Sequence, residues 1–191
     1  MKYNFKENRV QFVLENFHQR KHEDYLDWMS HMLEYWKDDQ EIVNFIESWR
    51  PKIAVYAGSF DPWHIGHFNI LVKAEEIFDK VIIARGINPD KEGMIKTHFD
   101  LPDAIRDRQI CNYEGLLTEF MDNLGYETTL IRGLRNGNDL AYETTQAAFL
   151  RDLKPDIKIV HIVCDKEYEH ISSSAIRSLM KYGEIYKNYL M

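Results

Sequence analysis

The sequence predicts an α/β protein built on a doubly wound parallel sheet, with a helical extension at its N-terminus. Two observations support this prediction. After Pro51, short apolar runs of strand length alternate with segments of helical spacing, which is typical of parallel sheets covered by helices. Residues 1–50 contain neither Gly nor Pro, and their apolar residues follow helical spacing. We therefore divide the chain into an extension, residues 1–50, and a main domain, residues 51–191.

The extension is predicted to form two or three amphipathic helices. Its apolar residues recur at helical spacing in three runs, which begin at Val10, Tyr25 and Ile42. One interpretation is a cap that packs on the main domain, and the other is a docking surface for a partner. The cap is favoured because the apolar face of an amphipathic helix usually belongs to a core.

The main domain contains four predicted strands and four predicted helices. The strands are short apolar runs at residues 53–56, 81–84, 129–131 and 157–163. The helices are expected at residues 68–78, 116–124, 139–153 and 172–181. Residues 86–100 are expected to form a loop. Because open parallel sheets bind ligands beyond the C-terminal ends of their strands, the polar motifs that follow these strands are the candidates for function.

Length and charge limit the possible functions. The chain has 191 residues and a formal charge of −7, which argues against general binding to nucleic acid or to anionic membranes. No apolar run approaches the roughly 18 residues of a membrane span, and the N-terminal residues lack the apolar segment of a signal peptide. Cys111 and Cys164 indicate neither a metal site nor a disulfide framework. We expect a cytoplasmic protein.

The first motif runs from Gly58 to His67 and reads Gly-Ser-Phe-Asp-Pro-Trp-His-Ile-Gly-His. It follows a buried strand and ends where a helix begins. Glycine lets backbone approach a ligand closely, and the free N–H groups of a helix N-terminus suit phosphate. His64 and His67 can donate hydrogen bonds to phosphate oxygens. The alternatives are that the histidines only cap the helix, or that they bind a metal, for which no third ligand is nearby.

The second motif follows the third predicted strand. The stretch from Arg132 to Arg135 reads Arg-Gly-Leu-Arg, and two guanidinium groups at a strand exit can bind phosphate oxygens. On the next helix, Asp139 is placed to cap the helix. Glu143 can orient an arginine or accept a hydrogen bond from a ribose hydroxyl. A surface cluster of salt bridges is the alternative interpretation of these residues.

Two further candidates follow the remaining strands. The stretch from His170 to Arg177 reads His-Ile-Ser-Ser-Ser-Ala-Ile-Arg, and hydroxyl and N–H groups at a helix start can hold nucleotide phosphates. An ordinary serine N-cap is the alternative. Lys91 comes shortly after the second strand, in the string Asn-Pro-Asp-Lys. It is a candidate because of its place relative to the other motifs, since a lone loop lysine is usually only solvated.

Together these motifs resemble those of the nucleotidyltransferase superfamily, with a His-x-Gly-His signature after a Gly-Ser-Phe-Asp-Pro turn. The stretch from Arg132 to Glu143 resembles in particular the Arg-Gly-Leu-Arg-x-x-x-Asp-x-x-Tyr-Glu pattern of the phosphopantetheine adenylyltransferase family. The resemblance covers residues 52–182 and leaves the extension unmatched. It implies a Rossmann-like fold and the transfer of AMP from ATP to 4′-phosphopantetheine, with dephospho-coenzyme A and pyrophosphate as products.

The resemblance also implies roles for individual residues. His67, Lys91 and Arg132 are implied to be catalytic, and Ser59, Leu117, Lys91 and Arg132 to bind the acceptor. Mg²⁺ is expected as a cofactor carried by the triphosphate, without a protein cage of its own. The residues implied to bind the nucleotide are Ser59, Phe60, His64, His67, Gly133, Leu134, Arg135, Glu143, Tyr168, Ser172, Ser173 and Ser174.

Two departures from the family concern the acceptor. The segment between Lys91 and Arg132 is shorter than usual, which implies a missing helix. Gln146 and Leu150 stand where leucine and asparagine would face the pantetheine arm, and we expect that helix face to point toward the site. The alternatives are an adenylyltransferase for nicotinamide mononucleotide, a cytidylyltransferase, or a regulatory protein that binds nucleotide without turnover. ATP and a phosphorylated acceptor are the expected partners, and a homo-oligomer is expected.

Overall fold

A computed structural model of the chain describes residues 5–87 and 102–191, with side chains from residue 8 onward in the first range. Five parallel strands form one sheet in the order β3-β2-β1-β4-β5, which confirms the predicted fold class. The elements in chain order are α1 (Phe5–Gln19), α2 (Tyr25–Tyr35), α3 (Gln40–Ser48), β1 (Ile53–Gly58), α4 (Ile65–Glu75), β2 (Lys80–Gly86), β3 (Ile110–Tyr113), α5 (Leu117–Asn123), β4 (Thr129–Leu134), α6 (Gly137–Leu153), β5 (Lys158–Val163) and α7 (Ser173–Leu179).

The central strand, β1, is buried along its length because helices cover both faces of the sheet. Its side chains alternate between two hydrophobic layers. Val55 packs in the layer that contains residues of α1, α2 and α3, whereas Tyr56 packs in the layer that contains residues of α4. Because all strands run in one direction, the C-terminal ends of β1, β4 and β5 lie along one edge of the sheet.

All eight strands and helices predicted for the main domain are present. The predicted strands correspond to β1, β2, β4 and β5, and the predicted helices to α4, α5, α6 and α7. β3 is not predicted, because its four residues are mostly half-exposed and form no apolar run. α4 begins at Ile65 rather than Phe68, since His64 caps it. The predicted loop lies largely outside the described residues. Within the described ranges, no helix is long and apolar enough to cross a bilayer.

The extension packs as part of the main hydrophobic core. Val13, Phe17, Trp28, Ile42 and Ile46 are almost completely inaccessible to solvent. They form one cluster with side chains from β1, β2 and β4. The interpretation of the extension as a packed cap is therefore confirmed. The two segments on either side of the boundary predicted after residue 50 share one hydrophobic core.

Polar contacts anchor the extension at the N-terminal ends of the strands. Asp24 accepts hydrogen bonds from the Tyr126 hydroxyl at 2.6 Å and from Gln109 Nε2 at 3.1 Å. The buried Lys80 amine donates to the carbonyl oxygens of Arg20 and Glu23, just beyond the end of α1. Burial lowers the pKa of Lys80 to about 8. These anchors lie at the opposite end of the strands from the polar motifs.

The extension covers the sheet face on which Ile82 and Ala84 of β2 lie. In the described part of the connection between β2 and β3, residues 87 and 102–109, the only helical turn is the 3₁₀ turn Asp103–Ile105. Ile105 of that turn packs on the other face of the sheet, with α4. Parallel strands are normally covered by helices on both faces of the sheet. On the face that carries Ile82 and Ala84, this cover comes from the N-terminal extension.

Candidate active site

A cavity of about 320 Å³ lies at the C-terminal edge of the sheet, between β1, β4, β5 and the starts of α4 and α6. The predicted site residues that line it are His64, His67, Gly133, Leu134, Arg135, Glu143, Tyr168, Ser172 and Ser173. Three separate sequence motifs therefore meet in one cavity, as expected for an open parallel sheet. Ser59, Phe60, Leu117, Arg132 and Ser174 do not line it, and Lys91 lies outside the described residues.

Phe60 supports the turn before α4 rather than facing the cavity. Its side chain is buried and packs against the rings of Tyr56, Trp63 and His67. Its φ of 47° is in the left-handed region, which lets the chain reverse sharply after β1. A Cβ on Gly58 would lie 2.9 Å from the Phe60 ring, so this packing requires glycine there. Phe60 does not line the cavity, and its predicted contact with the nucleotide stays a prediction.

His64 caps α4 and supports His67. Its Nδ1 accepts a hydrogen bond from the His67 backbone N–H at 3.2 Å, and the two rings stack with centroids 3.5 Å apart. The capping interpretation is thus confirmed for His64. A Cβ on Gly66 would lie 3.1 Å from His64 Nδ1, which explains the glycine in the motif. Because Nδ1 is an acceptor, the neutral ring carries its proton on Nε2.

Both histidines are kept neutral. Burial, and then the positive charge of Arg135, lowers the pKa of His64 to about 4. Burial likewise lowers the pKa of His67 well below its ordinary value, and His64 and Arg135 lower it further. His67 Nδ1 is buried and has no hydrogen-bond partner among the described residues. An unsatisfied buried nitrogen beside a cavity is a candidate to bind a ligand.

Arg132 is oriented by Glu143. Its Nε donates to Glu143 Oε2 at 2.6 Å, and its Nη1 donates to the Ala57 carbonyl at 3.2 Å. Of the two roles predicted for Glu143, the structure places it in the first, orienting an arginine. These contacts hold the guanidinium beside the end of β1 and leave its remaining N–H groups available for an anion.

Arg135 is held by Asp139. Its Nε and Nη2 donate to the two carboxylate oxygens of Asp139 at 2.8 and 2.7 Å, and its backbone N–H donates to the same carboxylate at 2.9 Å. These bonds keep the pKa of Asp139 below its ordinary range. The predicted capping role of Asp139 is wrong. Asn136 caps α6, because its side chain precedes the helix and reaches the N–H groups of Asn138 and Asp139.

The serines before α7 have different roles. Ser172 caps the helix by accepting from the Ala175 N–H at 3.1 Å, so the N-cap interpretation is confirmed for this residue. Ser173 donates to the Pro62 carbonyl at 3.0 Å and thereby joins α7 to the turn before α4. Ser174 is exposed, and its hydroxyl lies 3.2 Å from the Ser172 hydroxyl. Ser172 and Ser173 present their atoms to the cavity.

Several residues that line the cavity are not among the predicted site residues. Gly66, Asp139 and Tyr142 belong to the motifs and could have been included on that basis. Apolar side chains form the rest of the lining. Ile171 belongs to the stretch from His170 to Arg177, whereas no sequence signal separates the other three from ordinary core residues: Tyr56, Ile70 and Cys164. Burial raises the pKa of the Tyr56 hydroxyl and of the Cys164 thiol, so both are uncharged at neutral pH.

The expectation about α6 is wrong for Leu150. Its side chain packs against the core layer that contains the extension. Glu143 and Leu150 lie seven residues, about two turns, apart on α6, so this side of the helix lines the cavity at Glu143 and packs into the core at Leu150. Leu117 packs against the same layer. Its predicted contact with the acceptor stays a prediction, as do those of Ser59 and Lys91.

Among the described residues, no three His, Cys, Asp or Glu side chains are grouped to hold a metal ion. The two carboxylates that line the cavity, Asp139 and Glu143, are each paired with an arginine. The two histidine rings stack on one another, and His64 Nδ1 is already engaged by the His67 backbone N–H. The metal interpretation of the histidine pair therefore gains no support.

A parallel sheet with a stacked histidine pair at its first β–α turn, and two oriented arginines at the end of β4, defines a nucleotidyltransferase site. The chain belongs to the cytidylyltransferase-like family, whose model matches residues 55–179. It is 33% identical to a phosphopantetheine adenylyltransferase of Clostridium tetani, over 69% of this chain and 85% of that protein. It is 34% identical to that of Streptococcus pneumoniae, over 70% and 86%. A solved bifunctional NMN adenylyltransferase/ADP ribose pyrophosphatase from Francisella tularensis superposes with a TM-score of 0.46 at 18% identity, over 74% of this chain and 44% of that one.

Proposed function

We propose that this protein transfers AMP from ATP to 4′-phosphopantetheine and releases pyrophosphate and dephospho-coenzyme A. The relatives that carry the name phosphopantetheine adenylyltransferase support this acceptor. One observation of the site supports the reaction itself: neutral His67, with a buried nitrogen lacking a partner among the described residues, lies in the same cavity as Arg135. The cytoplasmic location and the homo-oligomeric state stay predictions.

The chemistry proposed for this site requires no general base. The phosphate of the acceptor is already a nucleophile at neutral pH, so catalysis depends on alignment and on stabilising charge at the α-phosphorus. Neutral His67 donates one ring N–H toward the oxygens that gain charge in the transition state. We assign the same role to Lys91, by the resemblance alone.

The cations of the site are divided between the two substrates in this proposal. Arg135, fixed by Asp139, binds the phosphates of ATP, together with the atoms of Ser172 and Ser173 that face the cavity. Arg132, fixed by Glu143 and the Ala57 carbonyl, binds the phosphate of the acceptor with Ser59. Fixed arginine forks suit this task because they lose little side-chain freedom on binding.

Mg²⁺ is proposed only as a ligand of the triphosphate, where it neutralises phosphate charge. The donors in the cavity fit this arrangement, because both carboxylates that line it are already engaged by arginines. No cluster of three metal-binding side chains exists in the described parts of the chain. The protein therefore contributes cations and N–H groups, and the phosphates contribute the metal ligands.

The test is release of pyrophosphate from ATP with a panel of acceptors. We expect the highest kcat/KM with 4′-phosphopantetheine. Nicotinamide mononucleotide is the first competitor to measure, because the histidine pair is shared with the wider superfamily. A higher kcat/KM for nicotinamide mononucleotide would reject the acceptor but keep adenylyl transfer. Absence of pyrophosphate release with every acceptor, in protein that binds ATP, would favour the regulatory alternative.

A further inference from the structure

The loop that follows β5 is tied to α4 by four hydrogen bonds. Asn69 Nδ2 donates to Asp165 Oδ2 at 2.6 Å, and the Asp165 backbone N–H donates to Asn69 Oδ1 at 3.0 Å. Lys73 Nζ donates to Asp165 Oδ1 at 2.6 Å and to the Val163 carbonyl at 2.9 Å. We call Asn69, Lys73 and Asp165 the α4–β5 clamp. It joins residues that are more than 90 positions apart in the chain.

The clamp holds the start of a wall of the cavity. Cys164, Tyr168 and Ile171 lie on either side of Asp165 in this loop, and all three line the cavity. The Asp165 carbonyl accepts the Tyr168 N–H at 2.9 Å and so forms the 3₁₀ turn Lys166–Tyr168. A methyl group on Gly66 would lie 3.8 Å from Tyr168 Cβ, so this wall sits against the first turn of α4. The position of Asp165 thus determines where the wall stands relative to His67.

Apolar packing holds only part of this loop, since Cys164 and Ile171 are buried but the residues on either side of Cys164 are half-exposed. β5 is an edge strand, and its last residue, Val163, is 56% exposed. The Asp165 side chain is itself 52% exposed. Half-exposed ion pairs contribute little to global stability, so the clamp is poorly suited to a purely structural role. Short bonds to three different groups of the loop do, however, restrict its position.

We propose that Asn69, Lys73 and Asp165 are positioning residues that set the cavity wall for the nucleotide. They act through Tyr168 and its neighbours, since none of the three lines the cavity. The inference rests on the proposed function, because it takes the ligand of this cavity to be ATP. It predicts that loss of the clamp weakens nucleotide binding while turnover and acceptor binding stay unchanged.

The sharpest single variant is Asn69→Asp, which places a second carboxylate against Asp165. We expect the Kd and the KM for ATP to rise about tenfold. The kcat at saturating ATP and the KM for 4′-phosphopantetheine should stay within about twofold of wild type, because the hydrogen bonds of the clamp go to the end of β5 and the loop after it rather than to the residues assigned to the acceptor. Calorimetry with ATP alone gives the Kd without relying on turnover.

The exchange variant Asn69→Asp/Asp165→Asn is the rescue. It restores one amide and one carboxylate to the pair, so ATP affinity should return to within about threefold of wild type. The matched control is Glu127→Gln, which removes an exposed ion pair with Lys158 elsewhere on the surface. This control should change neither ATP affinity nor turnover. Should Asn69→Asp fail to fold, Lys73→Gln removes two of the four bonds and is measured in its place.

Three results would overturn the role proposed for the clamp: unchanged ATP affinity in the folded single variant, equal losses of affinity for ATP and for the acceptor, or no recovery of ATP affinity in the exchange variant. The proposed function fails differently. In that case the wild-type protein itself would show no binding of ATP or no release of pyrophosphate. Failure confined to the variants therefore rejects the clamp and leaves the adenylyl-transfer proposal intact.

Discussion

The imidazole rings of His64 and His67 stack at 3.5 Å, with 18° between their planes, while His64 Nδ1 accepts the His67 backbone N–H. One residue therefore both starts α4 and supports the ring that faces the cavity. Burial and the charge of Arg135 keep the pKa of each ring below its ordinary value. At neutral pH, His67 is a neutral donor held in place by a neutral cap.

Replacing His67 with alanine is expected to lower kcat by roughly 10²–10³-fold, because the variant loses a donor to the transition-state oxygens. The melting temperature should change little. The measurement is pyrophosphate release at saturating substrates, with His31→Ala as control, since the His31 side chain is 67% exposed. Turnover above about half of the wild-type value in the His67 variant would reject the assignment.

Stability should fall in mild acid because of His64. The unfolded chain binds a proton at this residue near pH 6.5, whereas the folded protein resists protonation until about pH 4. The stability that the neutral ring gives the folded protein is fully present above pH 6.5 and is lost as the pH decreases toward 4. We expect this residue to lower the free energy of unfolding by about 2 kcal/mol as the pH falls from about 7 to 4.5.

The measurement is urea unfolding of wild type and His64→Asn at both pH values. Asparagine also caps a helix but does not titrate in this range. Protonation of carboxylates with a lowered pKa, such as Asp139, reduces the unfolding free energy of both proteins equally, so this effect cancels in the difference. Identical pH dependence of the two unfolding free energies would contradict the prediction.

Gly66→Ala should damage the site although alanine favours helices. The new methyl group would lie 3.1 Å from His64 Nδ1, and His64 is buried and stacked on His67, so it cannot move aside freely. We expect roughly a tenfold loss of kcat/KM, about 1.4 kcal/mol. The control is Gly137→Ala in the first turn of α6, where an added methyl meets nothing within 4 Å. Equal activity of both variants would show that the His64 ring adapts.

Removal of residues 1–50 should unfold the protein. The sequence alone predicts that the truncated chain still binds ATP, because every phosphate motif follows Pro51. The shared core changes this expectation, since Phe17, Trp28, Ile42 and Ile46 complete the layer over β1 and β2. Circular dichroism and ATP calorimetry of the truncated chain are the measurements. A folded truncation that binds ATP would make the extension dispensable.

A point substitution tests the same core more gently. Ile46→Ala should lower the free energy of unfolding by about 2–4 kcal/mol, because Ile46 is fully buried. Ile185→Ala is the control, as that side chain is 54% exposed. Urea unfolding of both variants measures the difference. A loss below about 1 kcal/mol for Ile46→Ala would indicate that the extension packs loosely.

The site is predictable from sequence where its signals are local. Turn glycines, helix caps and the spacing of His64 and His67 depend on residues only a few positions apart, so the pattern of residues after β1 is enough to interpret that motif. The same holds for Arg132 and Glu143, eleven positions apart on adjoining elements. The capping role expected of Asp139 is wrong because two local side chains compete for it, and the geometry of the turn gives the cap to Asn136.

The fold class, the edge of the sheet that carries the chemistry, and the helical character of residues 1–50 all follow from the sequence alone. Periodicity and strand direction are sufficient for these, because both depend on short-range backbone geometry. Three other features required tertiary contacts: which strands the extension packs on, the inward packing of Leu150, and the hydrogen bonds between Asn69 and Asp165. Such contacts join residues far apart in the chain, and their partners are chosen by how the layers pack rather than by neighbouring residues.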